Sequence, residues 1–312
     1  MIKNKFEFFG KTLSPEKEKE YRVTITESIQ KRRDALEKLS IEPEQKLGEW
    51  EGRLQEKYKK EYLALGGETL PDVKVYFIPS SKSIETLKIL GEKNTDPDFY
   101  YGGIGDAFSQ SFVIFIEDGN LSNLHSARTL AHELSHAYGY AFSRYVIKDE
   151  DSNPTQIVAA SSGISFSTRT GDFGRFLEEW YAVERELEAL PELKNLFPEE
   201  SKKAEIGLAS MVTGGLISKE AALYTSVYDN TKKDKTRSLT TYFMAHPLGS
   251  EIMARIPDGR NILAKARVSG KLAQLSKAIN DNLGEGAFKL IMSVNPKDKN
   301  SCDHLKQFLS KE

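Results

Sequence analysis

Residues 129–138 read Thr129-Leu130-Ala131-His132-Glu133-Leu134-Ser135-His136-Ala137-Tyr138. Within them, His132-Glu133-Leu134-Ser135-His136 has the spacing H-E-x-x-H. On a helix, positions i and i+4 share one face, so two imidazoles at this spacing can bind one metal ion. Glu133, beside the first histidine, is placed to act as general base on a water activated by that metal. The remaining residues of the stretch are uncharged. A buried helix under a metal site requires this, because an unpaired charge there costs several kcal/mol.

The stretch resembles the extended consensus of the zincin metallopeptidases: threonine first, uncharged residues between, a hydrophobic residue last. The resemblance implies an α+β fold with a small twisted sheet, an active-site helix behind it and a helical lower lobe. It also implies bound Zn²⁺ and a peptide or protein substrate. It covers about residues 72–190, with its strongest match at 129–138 and a weaker one at 175–184.

A catalytic zinc usually takes three protein ligands and keeps one position open. The metzincin pattern H-E-x-x-H-x-x-G-x-x-H finds its glycine at Gly139, but Phe142 stands where the third histidine belongs and cannot ligate. His125 precedes His132 by two turns, about 10.5 Å of rise, too far to share an ion. In gluzincins the third ligand is a glutamate on a later helix. Phe176-Leu177-Glu178-Glu179-Trp180-Tyr181-Ala182-Val183-Glu184 resembles that pattern, with Glu178 where asparagine often stands. Phe176, Trp180, Val183, Leu187 and Leu190 form an apolar stripe at helical spacing. Glu179 borders it and Glu178 faces nearly opposite, so the ligand set expected is His132, His136 and Glu179, with Glu186 and Glu178 as alternatives. His246 is the candidate for stabilising an oxyanion, alongside Tyr224, Tyr228 and Tyr242. The plainer reading of His246 is a helix-end histidine, and His304 sits in a polar tail.

Around this centre the chain reads as three parts: an N-terminal helical hairpin (1–70), the catalytic core (71–195) and a helical C-terminal lobe (196–312). Ser14-Pro15-Glu16 starts a first helix with Tyr21, Ile25, Ile29, Leu36 and Leu39 at helical spacing. Pro43 breaks it. A second helix carries Leu47, Trp50, Leu54, Tyr58 and Leu65 and ends at Gly66-Gly67, giving a solvated hairpin. Residues 73–78 and 111–116 read as strands, 81–90 as a short helix and 100–105 as a glycine-rich turn. Residues 111–117 are the candidate edge strand for an extended substrate. Ser122 or Asn120 is suited to cap the motif helix. Residues 163–172 suggest a hairpin, and a helix from about Arg175 ends before Pro191. Beyond 198 the pattern is helical, with breaks near Pro247, Pro257 and Gly284.

The chain has 312 residues, a formal charge of −2 and a pI near 6.3, which gives no reason to expect nucleic-acid binding. The single cysteine, Cys302, excludes an internal disulfide framework. The N-terminus lacks the apolar core of a signal peptide, and no run is long enough to span a membrane. A cytoplasmic location is expected. Two other functions stay open: a zincin scaffold used for binding or regulation, and metal-dependent hydrolysis of a non-peptide amide.

Overall fold

Period-2 alternation in two strands organises the middle of the protein. In the computed structural model, which describes residues 5–10, 12–91, 102–106, 109–116, 122–147, 157–168, 171–214 and 246–310, the chain is α+β. It opens with strand β1 (Lys5–Gly10) and helices α1 (Pro15–Glu37) and α2 (Gln45–Ala64). Strand β2 (Lys74–Pro79), a 3-10 turn and α3 (Ser83–Leu90) follow. Then come β3 (Gly103–Asp106), β4 (Ser111–Ile116) and α4 (Ser122–Ala137), which carries the histidine pair.

Strand β4 lies between β2, parallel to it, and β3, antiparallel to it. It is buried on both faces, as its unbroken apolar run suggests. Tyr76, Ile78, Val113 and Phe115 point one way and pack with Leu36 and Leu90 of α1 and α3. Phe77, Phe112 and Ile114 point the other way, into a cluster with Leu47, Trp50, Leu54 and Tyr58 of α2 and Leu130, Ala131 and Leu134 of α4. That cluster takes residues from all three segments, 1–70, 71–195 and 196–312, because it also includes Val268.

Strands β5 (Ala141–Ile147), β6 (Ile157–Ser162), β7 (Ser165–Thr168) and β8 (Gly171–Phe173) form a second sheet in the order β1-β5-β6-β7-β8. Helix α5 (Arg175–Leu196) then packs on α4, followed by α6 (Pro198–Thr213). The remainder is helical where described: α7 (246–255), α8 (Gly259–Ser269), α9 (Ala273–Leu283), α10 (Ala287–Ser293) and α11 (Lys299–Leu309). Their apolar faces close on Phe176, Leu177 and Trp180 of α5. Helix α5 is therefore shared between the motif helix and the helical lobe.

The first helix starts as expected, with Ser14 accepting from the Lys17 amide at 3.2 Å. The hairpin is not a solvated arm, however. Trp50 donates to the Ala127 carbonyl at 3.1 Å and Tyr58 to the Ala131 carbonyl at 3.2 Å, so α2 is bonded along the back of the motif helix. The glycine-rich stretch read as a turn over 100–105 contributes most of edge strand β3 (Gly103–Asp106), and β4, read as the candidate edge, is central. Glycines that signal a turn by composition serve here to bring the strand close to its neighbours. Helix α5 continues through Pro191, with Ala189 and Leu193 buried on either side. The breaks at Pro257 and Gly284 are present, and the one expected near Pro247 borders residues outside the described ones. Strand β1 was not among the expected elements, although Lys5-Phe6-Glu7-Phe8 alternates polar and apolar residues. Asn120 and the turn at 118–120 lie outside the described residues.

The hydrogen bond from Trp50 to α4 generates a stability prediction. Trp50→Phe keeps an aromatic ring but removes the N–H donor and part of the buried indole volume, and is expected to lower unfolding free energy by about 2–4 kcal/mol. Urea denaturation with Tyr58→Phe as the parallel case measures it. An unchanged midpoint for both variants would mean that α2 does not brace the motif helix.

Candidate metal centre

Helix α4 puts His132 and His136 one turn apart on one face, with ring centroids 5.0 Å apart and their Nε2 atoms 3.3 Å apart. The third residue comes from α5. That helix starts after Gly174, which has φ 73° and sits where an added Cβ would lie 2.4 Å from the Ile164 carbonyl oxygen. The start is thereby fixed, and the end of the first turn carries Glu178 and Glu179 up to α4. Glu179 Oε2 lies 3.3 Å from His132 Nε2 and 3.7 Å from His136 Nε2.

These separations have a chemical meaning. Ligand atoms bound at about 2.0–2.1 Å and meeting at a tetrahedral angle lie about 3.3–3.4 Å from one another. The three pairwise distances, 3.3, 3.3 and 3.7 Å, are close to one face of such a tetrahedron. Two imidazole nitrogens and one carboxylate oxygen also form a donor set that suits zinc. The group is sheltered but not sealed, since 16 %, 14 % and 10 % of the three side chains' surfaces remain accessible.

His136 is hydrogen-bonded from behind by a carboxylate, and His132 faces a second one at ion-pair distance. His136 Nδ1 lies 3.1 Å from Glu178 Oε1. Glu178 accepts two bonds from the Arg267 guanidinium, at 2.9 and 2.5 Å, and a third from the Ile164 amide at 3.1 Å. Arg267, from α8, also donates to the Ser135 carbonyl and covers the Tyr181 ring. His132 Nδ1 lies 3.7 Å from Glu186 Oε2, and Glu186 Oε1 lies 2.6 Å from Arg128 Nη2. A carboxylate near Nδ1 favours a proton there and leaves the lone pair on Nε2, the nitrogen that faces Glu179.

Glu178 is a correction to the sequence reading. It was placed on the outer face of α5, but it is 2 % exposed and touches His136. A helix packed on two sides has two buried faces, and only the apolar one shows as a stripe. Gly163 makes room for it: at φ 60°, a Cβ there would lie 2.1 Å from Glu178 Oε2. Gly139, which carried the partial metzincin match, packs against Gly163 instead, its added Cβ falling 2.7 Å from Gly163 Cα.

Burial alone would lower the pKa values of both histidines, but the carboxylates reverse the sign. Glu179 and Glu186, together with the charge of Glu133, hold His132 well above its ordinary value, and Glu178 and Glu179 hold His136 up to about 9. Burial raises Glu178, and Arg267 and His136 overcome that, bringing it down to about 2. Glu186 is likewise lowered to about 2, chiefly by Arg128. Glu133 differs: burial raises it despite the nearby histidines.

Glu133 lies under β3. A Cβ added to Gly103 would come within 3.0 Å of its Cγ, and one added to Gly105 within 3.3 Å of its Oε2. The glycines thus let the strand rest directly on the general-base candidate. Beyond β4, β3 pairs with no other strand among the described residues.

His246 is not brought to this group. Its Nε2 lies 2.6 Å from Glu184 Oε1, its ring stacks on Trp180, and Glu184 also pairs with Arg260. The predicted oxyanion residue is thus bonded to Glu184 and stacked on Trp180. Tyr224, Tyr228 and Tyr242 lie outside the described residues. His125 sits against Thr129, and His304 is exposed. The arginines were missed. Arg128 and Arg175 stand four residues before His132 and Glu179, a spacing that could have drawn attention to them. Arg267, 89 residues from Glu178, had no local signal.

No protein-family model matches the chain, and no curated protein or solved structure matches it. Among the described residues no helix is long and apolar enough to cross a membrane.

Two predictions follow from the paired carboxylates. Glu178→Ala removes the partner of His136 and is expected to weaken zinc binding about 10–100-fold. Chelator competition measures this, and wild-type affinity in the variant would restore the outward-facing reading. The second concerns pH in metal-free protein. His136 is raised from 6.5 to about 9, so its stabilising bond is fully present below 6.5 and lost as pH rises through 9. Glu178 is lowered from 4.5 to about 2, so its share is present above 4.5 and lost as pH falls toward 2. Thermal melts should be highest between these limits and should decline from pH 6.5 to 9. A flat profile there would argue against the His136–Glu178 bond.

Proposed function

We propose that the protein is a zinc-dependent metallopeptidase of the zincin type, with His132, His136 and Glu179 as its metal ligands. The observation that carries this reading is the near-tetrahedral spacing of the three donor atoms, drawn from two helices and lying beside Glu133. A bound zinc ion would act as a Lewis acid on a water molecule and on the substrate carbonyl.

The chain's own residues have distinct tasks. Glu133 takes a proton from the attacking water and later gives it to the leaving amine. Its raised pKa, caused by burial, suits a group that must both accept and return a proton. Glu178 and Glu186 orient the imidazoles. The outer edge of β3, which passes over Glu133, offers backbone donors and acceptors to an extended peptide. This moves the substrate-binding role from 111–117 to 103–106. Among the described residues three side chains are grouped as candidate ligands, which supports a catalytic reading over a structural site closed by four protein ligands.

The test compares zinc content and peptide cleavage in wild type, Glu133→Gln and Glu179→Ala. Glu133→Gln should keep one zinc per chain and lose about 10²–10⁴-fold in cleavage rate. Glu179→Ala should lose zinc through dialysis against a mild chelator. Full cleavage by zinc-loaded Glu133→Gln would sink the mechanism. Wild-type zinc retention by Glu179→Ala would sink the ligand assignment.

A further inference from the structure

Arg175 is the first residue of α5, where a positive charge is out of place. A cation in the first turn opposes the helix macrodipole, at a cost of about 0.3–1 kcal/mol. The order of its pair with Glu179, basic residue first at i,i+4, is also the less favourable one. Helix stability therefore does not account for it. Its contacts do: Nε donates to Glu179 Oε1 at 3.3 Å, and Nη1 lies 3.7 Å from Asp172 Oδ2.

The two oxygens of Glu179 have different surroundings. Oε2 faces both imidazoles, and Oε1 faces Arg175. A carboxylate left to itself can ligate a metal through one oxygen or both, and binding through both would fill a further coordination position. We infer that Arg175 is a positioning residue: it engages Oε1, holds Glu179 as a one-oxygen ligand, and so leaves a coordination position for water or substrate. This rests on the metal reading above, and it goes beyond it by assigning the coordination mode to a residue outside the ligand set.

The inference makes a prediction opposite in sign to simple electrostatics. Removing a cation beside a divalent-metal site should, by Coulomb's law alone, tighten metal binding. Losing the partner that orients a ligand should weaken it, about 10–100-fold. Arg175 is partly exposed, with 39 % of its side-chain surface accessible, so the fold should tolerate its replacement.

The experiment measures zinc affinity by chelator competition, and the visible spectrum of the cobalt-substituted protein, in wild type, Arg175→Met and Arg175→Lys. Circular dichroism serves as the folding control. The expected result for Arg175→Met is 10–100-fold weaker zinc binding and a weaker cobalt absorption, as coordination number rises. Arg175→Lys, which keeps a charged donor, should recover most of both. Zinc binding by Arg175→Met as tight as wild type or tighter, with the wild-type cobalt spectrum, overturns the inference while leaving the ligand set standing. A wild-type protein that takes up neither zinc nor cobalt overturns the metal reading itself.

Discussion

Two helices, α4 and α5, bring four carboxylates and two imidazoles into one largely buried crossing, and much of the surrounding structure can be understood as making that crossing tolerable. Glu133, Glu178, Glu179 and Glu186 would repel one another if left alone away from water. Arg128, Arg175 and Arg267 stand among them, each bonded to one of the carboxylates. Buried ion pairs of this kind contribute little net stability, since desolvation offsets their attraction, but removing one partner is costly. What they provide is a fixed position for each charged group.

The arginines come from three places in the chain. Arg128 belongs to the motif helix, Arg175 to the start of α5 and Arg267 to the helical lobe. The helical lobe therefore contributes to the centre as well as packing beside it, because Arg267 bonds Glu178, which bonds His136. On the far side of α4, Trp50 and Tyr58 bond its carbonyls and fix the helix from behind. The histidine-bearing helix is thus held on both faces, which is what a site with tolerances of a few tenths of an ångström needs.

Close approach is made possible by missing side chains. Gly163 leaves space for the Glu178 carboxylate, Gly139 lets the turn after α4 lie against it, and Gly103 and Gly105 allow β3 to rest on Thr129 and Glu133. These residues read in the sequence as turn signals or, for Gly139, as part of the metzincin pattern. Their use in the fold is steric.

The sequence by itself determined what local spacing can encode. Two histidines at i,i+4 share a helix face whatever surrounds them, alternating residues in β2 and β4 sort to opposite faces, and Ser14-Pro15 starts a helix through its own capping geometry. An edge-of-stripe argument singled out Glu179, which does lie against both imidazoles. Only the tertiary structure decided what lies across from those residues. Glu178 was placed on the exposed side because periodicity reports apolar faces, and its face is buried by ion pairs and hydrogen bonds. His246 joined Glu184, β3 took the sheet edge from β4, and Arg267 reached the centre from far along the chain. Local periodicity carries no record of such contacts, since they depend on how separate elements pack and not on the spacing within any one of them.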